Sequence, residues 1–267
     1  MLRVGRVIAL PLHSRALLWA GLYVLLVVGI AALTLTLGRL GIPLGRLPAV
    51  AAGSGEAAET FVLERLRGPR LTVALGVGAA LGTAGALFQS VTRNPLGSPD
   101  VIGLGAGAGA GAAIAALLLP GAVSVPLGAL AGSALAMVLV ALATGTGLRH
   151  PGRLIVAGIG VAAMAHAITQ YVVAVLARNE AAVLSAYIYG SLGARSWEHA
   201  ATIWLALAAA VPFAMALAGP VAVNEMGDEL ADSLGARAGR TRTAAIVLSV
   251  VLSAAAVASR DRSRSCR

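Results

Sequence analysis

The side chains able to do chemistry in this sequence are few and widely spaced. His166 and Gln170 stand at i and i+4 inside an apolar stretch, which puts them on one face of a helix. Polar groups in such a place face a bundle interior or an aqueous cavity. The pair is therefore read either as the lining of a pathway or as a mutual hydrogen bond that tightens packing. No acid or cysteine lies close enough in sequence to complete a metal site, so no metal or cofactor is assigned. The run Gly103-Leu-Gly-Ala-Gly-Ala-Gly-Ala-Gly111 fails as a dinucleotide fingerprint, because no strand precedes it and no ribose-binding acid follows. Its glycines at 103, 107 and 111, and at 105 and 109, instead suit close helix packing, as do Gly78 and Gly82.

A second cluster is charged. Asn224–Arg242 is the most polar stretch of the chain. Gly227-Asp-Glu229 is read as the start of a short helix, with its acids near the N-terminus and Arg237 and Arg240 beyond its end, the polarity that a helix dipole favours. Leu230 and Leu234 then share a face that suits insertion into a groove on a partner; the alternative is a solvated loop. All 20 basic residues are arginine. Without a lysine the chain has neither a P-loop nor a Schiff base, so a nucleotide-driven process needs its motor on another polypeptide. Cys266 is the single cysteine, which excludes an internal disulfide.

The elements that must carry these residues are membrane helices. Hydrophobic residues make up 58% of the 267 positions and charged residues 12%, against about 25% charged in a soluble domain; the mean hydropathy is +0.88. The net charge of +9 does not point to nucleic acid, since the arginines are scattered over loops and helix ends with no basic face; anchoring at lipid headgroups accounts for them. Seven apolar runs follow: Ala16–Leu37, Leu71–Val91, Val101–Leu119, Val125–Thr144, Leu154–Ala177, Ala200–Val223 and Thr243–Ala258. Each approaches the roughly 20 residues that cross a bilayer, and backbone in lipid must satisfy itself, so each is a helix. Arg3, Arg6 and Arg15 precede a first run too long for a signal-peptide core, read as a retained helix. The arginine distribution places the N-terminus in the cytoplasm.

From Arg67 onward the motifs resemble the FecCD-type permeases of binding-protein-dependent importers for iron–siderophore complexes, heme and vitamin B12. Arg67-Gly-Pro-Arg70 resembles the family's lead-in to its second helix. Gly85-Ala-Leu-Phe-Gln-Ser-Val-Thr-Arg-Asn-Pro-Leu96 with Pro99-Asp-Val-Ile-Gly103 is the most specific match. Tyr187-Ile-Tyr-Gly190-Ser191-Leu with Trp197 resembles a periplasmic gate element, tyrosine replacing its first tryptophan. Met226-Gly-Asp-Glu-Leu-Ala-Asp-Ser-Leu-Gly235 resembles the segment that docks on the ATPase.

The resemblance implies an all-α polytopic permease domain over 1–259, with about seven of the family's ten transmembrane helices. It implies no catalysis by this chain. Its partners would be two copies of an ATP-hydrolysing subunit, a second permease, an extracytoplasmic substrate-binding protein and membrane lipid, with no nucleic acid. ATPase coupling falls to Met226, Gly227, Asp228, Glu229, Leu230, Leu234 and Gly235 within the 224–242 segment. Arg67 and Arg70, at the outer mouth, are read as binding-protein docking residues pairing with carboxylates, or as headgroup anchors. Asn94-Pro95 forms a sharp cytoplasmic turn, because proline cannot continue a helix. His166 and Gln170 are pathway candidates.

The end departs from the family pattern. Arg260–Arg267 is basic, where the resemblance implies Gly-Pro-Ile-Gly-Phe-Val and three further helices. One permissible codon choice, read from its third base, encodes Gly-Pro-Ile-Ala-Phe-Val, so a frameshift that leaves a truncated, non-functional permease is one expectation, and a genuine tail is the alternative. A self-sufficient secondary transporter would need intramembrane acids, and no span holds Asp or Glu. An intramembrane hydrolase would need a serine or metal constellation, which the sequence lacks.

Overall fold

The computed structural model describes residues 2–4, 8–10, 14–38, 40–95, 97–145, 151–176, 196–235 and 237–258. They fall into two compact units, Met1–Leu71 and Thr72–Arg267. Tyr187, Gly190, Ser191 and the 260–267 tail lie outside the described residues.

The first unit opens with a two-stranded antiparallel ribbon, Leu2–Val4 (β1) against Ile8–Leu10 (β2), with Arg3 opposite Ala9. Helix α1, Ser14–Thr36, follows. It contains no proline to break it, and it is apolar all round: Leu18 is 68% and Leu25 70% exposed. A helix of this length and composition fits a lipid surround. The link expected after it is more ordered than its prolines and acids imply. It holds a 3-10 turn at Leu44–Arg46, α2 at Leu47–Ala51, α3 at Ala57–Phe61 and a π-helical turn at Val62–Arg67. Ile42, Val50 and Val62 form a small core there. Arg46 pairs with Glu56 at 2.8 Å and with Glu59 at 3.3 Å, which draws the 3-10 turn onto the capped start of α3.

The second unit contains the rest of α4, Gly68–Thr92, then a 3-10 turn at Pro99–Ile102 and α5 at Leu104–Leu117. Beyond these come α6 at Val125–Ala143, α7 at Pro151–Leu176, α8 at Trp197–Asn224, α9 at Asp228–Ser233 and α10 at Ala238–Ala258. Proline sits in the first turn of α6, where its missing N–H costs nothing. Pro212 and Pro220 lie inside α8, each removing one i to i−4 bond. All seven expected spans are helices, five of them long and apolar enough to cross a membrane and two shorter, Leu104–Leu117 and Leu127–Ala143.

Several helices begin a few residues from the expected positions, and two of these shifts have identifiable reasons. The third span begins at Leu104 rather than Val101, because Gly103 adopts φ +80°, a left-handed conformation that interrupts the helix. The seventh begins at Ala238 rather than Thr243, since the polar Gly239–Arg242 turn is already helical.

The core of this unit is built around α4. Leu87, Phe88 and Val91 pack with Leu104, Val140, Leu154, Val221 and Ile246, with Phe88 fully buried. Further along α4, Val73, Val77, Ala80 and Ala84 meet Ala200, Ile203, Leu207, Leu252 and Ala256 of α8 and α10. Trp204 donates its indole N–H to the Thr72 carbonyl at 3.2 Å. Helices α5 and α6 touch backbone to backbone. An ideal Cβ on Gly111 would lie 2.1 Å from the Gly128 carbonyl oxygen, and one on Gly132 2.1 Å from that of Gly107. Lipid gives apolar helices little hydrophobic reason to associate, so such a seam is held by van der Waals contact that only small residues permit.

Half of the glycine expectation needs correction. Gly107 and Gly111 do pack as expected, but Gly105 sits under the Asp100 carboxylate and Gly109 has no neighbour within 4 Å. Gly78 and Gly82 likewise meet nothing within 4 Å among the described residues. Their face of α4 is open, with Leu75 and Leu81 each 39% exposed along it.

Candidate functional site

The charged stretch after α8 folds as a compact junction. Gly227 precedes α9 with φ +117°, a conformation that L side chains rarely adopt, and this sharp turn separates α9 from α8. Asp228 and Glu229 occupy the first turn of α9, where the helix dipole favours acids. Ala231 is fully buried and fixes which face turns inward. Met226, Leu230 and Leu234 are left outward, at 66%, 47% and 63% exposure, and Glu229 is exposed beside them. A groove of about 560 Å³ runs alongside, from Arg237 and Arg240 to Ala244 and Val247.

Asp228 is bonded from two other helices. Arg242 of α10, itself buried, donates to both carboxylate oxygens at 2.7 and 2.8 Å. Arg93, at the end of α4, donates to Asp228 Oδ1 and also to the Asn224 carbonyl, at 2.6 Å from Nη2 and 3.1 Å from Nε. Asn224 Nδ2 donates to the Ala238 carbonyl at 3.2 Å, and the Ala238 N–H donates to Asp232 Oδ1 at 2.8 Å. The hydrogen bond from Arg242 holds the Asp228 carboxyl below the ordinary aspartate range; partial burial opposes this, and Arg93 adds to the lowering.

The end of α4 and α10 thus meet on one carboxylate of α9, and Arg93 adds the end of α8. Sequence reasoning found Asp228 but missed Arg93, Arg242 and Asn224. A usable signal was present, since both arginines abut apolar spans where a charge needs a partner.

The family model of the FecCD transport family matches residues 24–260. The chain belongs to the FecCD transport family. Among relatives, it is 32% identical over 200 residues to the Fe(3+)-citrate import system permease protein YfmE of Bacillus subtilis (strain 168), covering 74% of this chain and 60% of that protein. It is 36% identical over 248 residues to the achromobactin transport system permease protein CbrC of Dickeya dadantii (strain 3937), covering 89% and 69%. A solved chain of a metal-chelate type ABC transporter in an inward-facing conformation shares the fold. Its TM-score is 0.76 at 22% identity, over 92% of this chain and 76% of that one. This family member is accordingly an all-α, multi-pass inner-membrane protein with an ABC-permease fold, spanning 60% of the length of YfmE.

The remaining expected site residues fall in separate places. Asn94 and Pro95 do form a turn after α4: the Asn94 N–H closes onto the Gln89 carbonyl at 3.2 Å and the Gly97 N–H onto the Asn94 carbonyl at 3.0 Å. His166 and Gln170 are both exposed on α7 near Tyr171 and Ile168, and no mutual hydrogen bond joins them among the described residues. Arg67 donates to the Thr34 and Leu35 carbonyls at 2.8 and 3.1 Å, satisfying the end of α1, whereas Arg70 is exposed. Trp197 opens α8 at 51% exposure, next to the Ser196 Oγ and His199 Nδ1 contact of 2.7 Å that caps the helix. Among the described residues, no group of three or more His, Cys, Asp or Glu gathers to hold a metal.

Proposed function

We propose that the chain is the membrane-spanning permease subunit of an importer for a ferric or related metal chelate, without catalysis of its own. ATP-hydrolysing subunits on separate polypeptides, a second permease and an extracytoplasmic binding protein complete it. The observation that carries this reading is α9: a short helix set on the ends of membrane helices that turns Met226, Leu230 and Leu234 outward. Three exposed apolar side chains beside an acid suit a groove on a partner protein, and the 224–242 segment lies on the cytoplasmic side in this reading, with the N-terminus. The names of YfmE and CbrC, permeases for ferric citrate and achromobactin, support a chelate as cargo.

The exposed pair His166 and Gln170 faces a second permease across the pathway, where polar groups are tolerated because water or cargo meets them. Arg70 docks the binding protein through carboxylates, favouring encounter rate and orientation; Arg67, bonded to α1, keeps that mouth in place.

The test is co-purification with an ATPase subunit, followed by ATP-dependent uptake of radioactive ferric citrate into proteoliposomes. Leu230→Glu places a second charge on the docking face and is expected to weaken ATPase association by about ten-fold or more, the scale of a hot-spot loss. A wild-type chain that never holds an ATPase overturns the reading.

A further inference from the structure

The junction around Asp228 is more tightly built than a docking patch requires. Helix α9 has six residues, too few to be stable alone. It keeps its place only through what it is bonded to. Arg93 takes a backbone φ of +52° at the end of α4, a conformation unfavourable for a non-glycine residue and one that glycine most often fills at helix ends. What arginine supplies there, and glycine would not, is a guanidinium that spans the last carbonyl of α8 and the first carboxylate of α9. On the other side, Arg242 is buried, and a buried cation needs its anion; Asp228 provides two acceptors for it. The Asp228 side chain therefore ties α9 to α4 and α10 at once, and Arg93 extends the tie to the end of α8.

We propose that Asp228, gripped by Arg93 and Arg242, is a positioning residue that locks α9 to the ends of α4, α8 and α10, so that displacement of α9 is carried into three membrane helices. This deepens the permease reading and rests on it for the identity of what displaces α9. It also divides the expected coupling set. Met226, Leu230 and Leu234 contact the ATPase subunit, whereas Asp228, half-exposed, is engaged by its two arginines. Without the lock, a helix of one and a half turns yields locally, and hydrolysis by the partner is not transmitted.

The experiment uses the full chain, alone in nanodiscs and assembled with its ATPase subunits and binding protein in proteoliposomes. Asp228→Asn keeps the size of the side chain and removes its charge. Hydrogen bonds to charged groups are worth enough that their loss is read as about a ten-fold change. The expected result is an unchanged yield of complex, about ten-fold less chelate imported per ATP hydrolysed, and about ten-fold faster amide exchange over residues 229–234. Exchange in α5 and α6 stays as in the wild type, which separates local release from misfolding. Arg242→Gln repeats the effect, and Asp228→Glu restores most of it.

An unchanged import-to-hydrolysis ratio with unchanged exchange overturns the lock. So does loss of the ATPase subunit from a chain whose α5 and α6 exchange is normal, because Asp228 is then a docking contact. If the wild-type chain holds no ATPase, the permease reading falls, and the lock is judged on exchange in the chain alone.

Discussion

Helices α5 and α6 are held by the absence of side chains, and the α9 junction by their presence. At the first place Gly107 and Gly111 meet Gly132 and Gly128 with backbone oxygens inside the space a Cβ would need. At the second, two arginines and an aspartate join segments 135 residues apart in sequence. Lipid explains both. Between spans there is little water to expel, so close contact is the available attraction. At their ends polar groups are expected to gather, and there charge-assisted bonds are stronger than neutral ones and set direction.

The largest expected effect is on the close-packed pair. Gly111→Ala sets a methyl 2.1 Å from the Gly128 carbonyl oxygen and 3.0 Å from the Gly132 Cα. Neither neighbour is a flexible tip, so the helices must separate, at about 1–3 kcal/mol or more. Gly107→Ala, at 2.6 Å from the Gly132 oxygen and the Ala136 methyl, costs less within the same range. Unfolding in SDS followed by tryptophan fluorescence ranks the two, and equal stability of Gly111→Ala and wild type would show that the seam carries no load.

Much of this was readable from residue order alone, and the remainder failed for physical reasons. All seven helices followed from apolar runs, because hydropathy over a span is a sum that no single contact alters. The turn at Asn94-Pro95 followed from proline's missing donor. What did not follow was partnership. Gly128 and Gly132 repeat the four-residue spacing of α5, yet nothing along the chain says which glycine stripe meets which. Arg67 reads as a surface cation, and only the folded chain shows it closing the end of α1. Likewise Arg93, Asp228 and Arg242 are ordinary charges at span ends until the fold brings them together.

A smaller effect separates the two regions by acidity. The carboxyl of Asp228 is held below its ordinary range, so its contribution is complete above the unperturbed aspartate value of about 4 and is lost as pH falls through the lower folded value. Asp228→Asn, which removes the carboxyl, should abolish the step. Amide exchange corrected for intrinsic rate should be unchanged between pH 7 and 5 and rise over residues 229–234 near pH 3, before α5 and α6 respond. Simultaneous loosening of both regions would mean that the junction is not held by this carboxylate.

The smallest effect is expected at the glycines that share the spacing of the seam but not its contacts. Gly82 has nothing within 4 Å of its Cβ position, so Gly82→Ala meets no backbone and exchanges a poor helix former for a good one. The change should be neutral or stabilising by up to about 1 kcal/mol in the chain alone, measured by the same SDS unfolding as Gly111→Ala. That contrast isolates the cause: the two substitutions add the same methyl to the same residue type inside a helix, and they differ in whether another helix already occupies the space. A clear loss of stability at Gly82 would mean that the open face of α4 is covered in the membrane. The distinction between the two stripes would then lie in which partner each one meets, and not in whether it meets one.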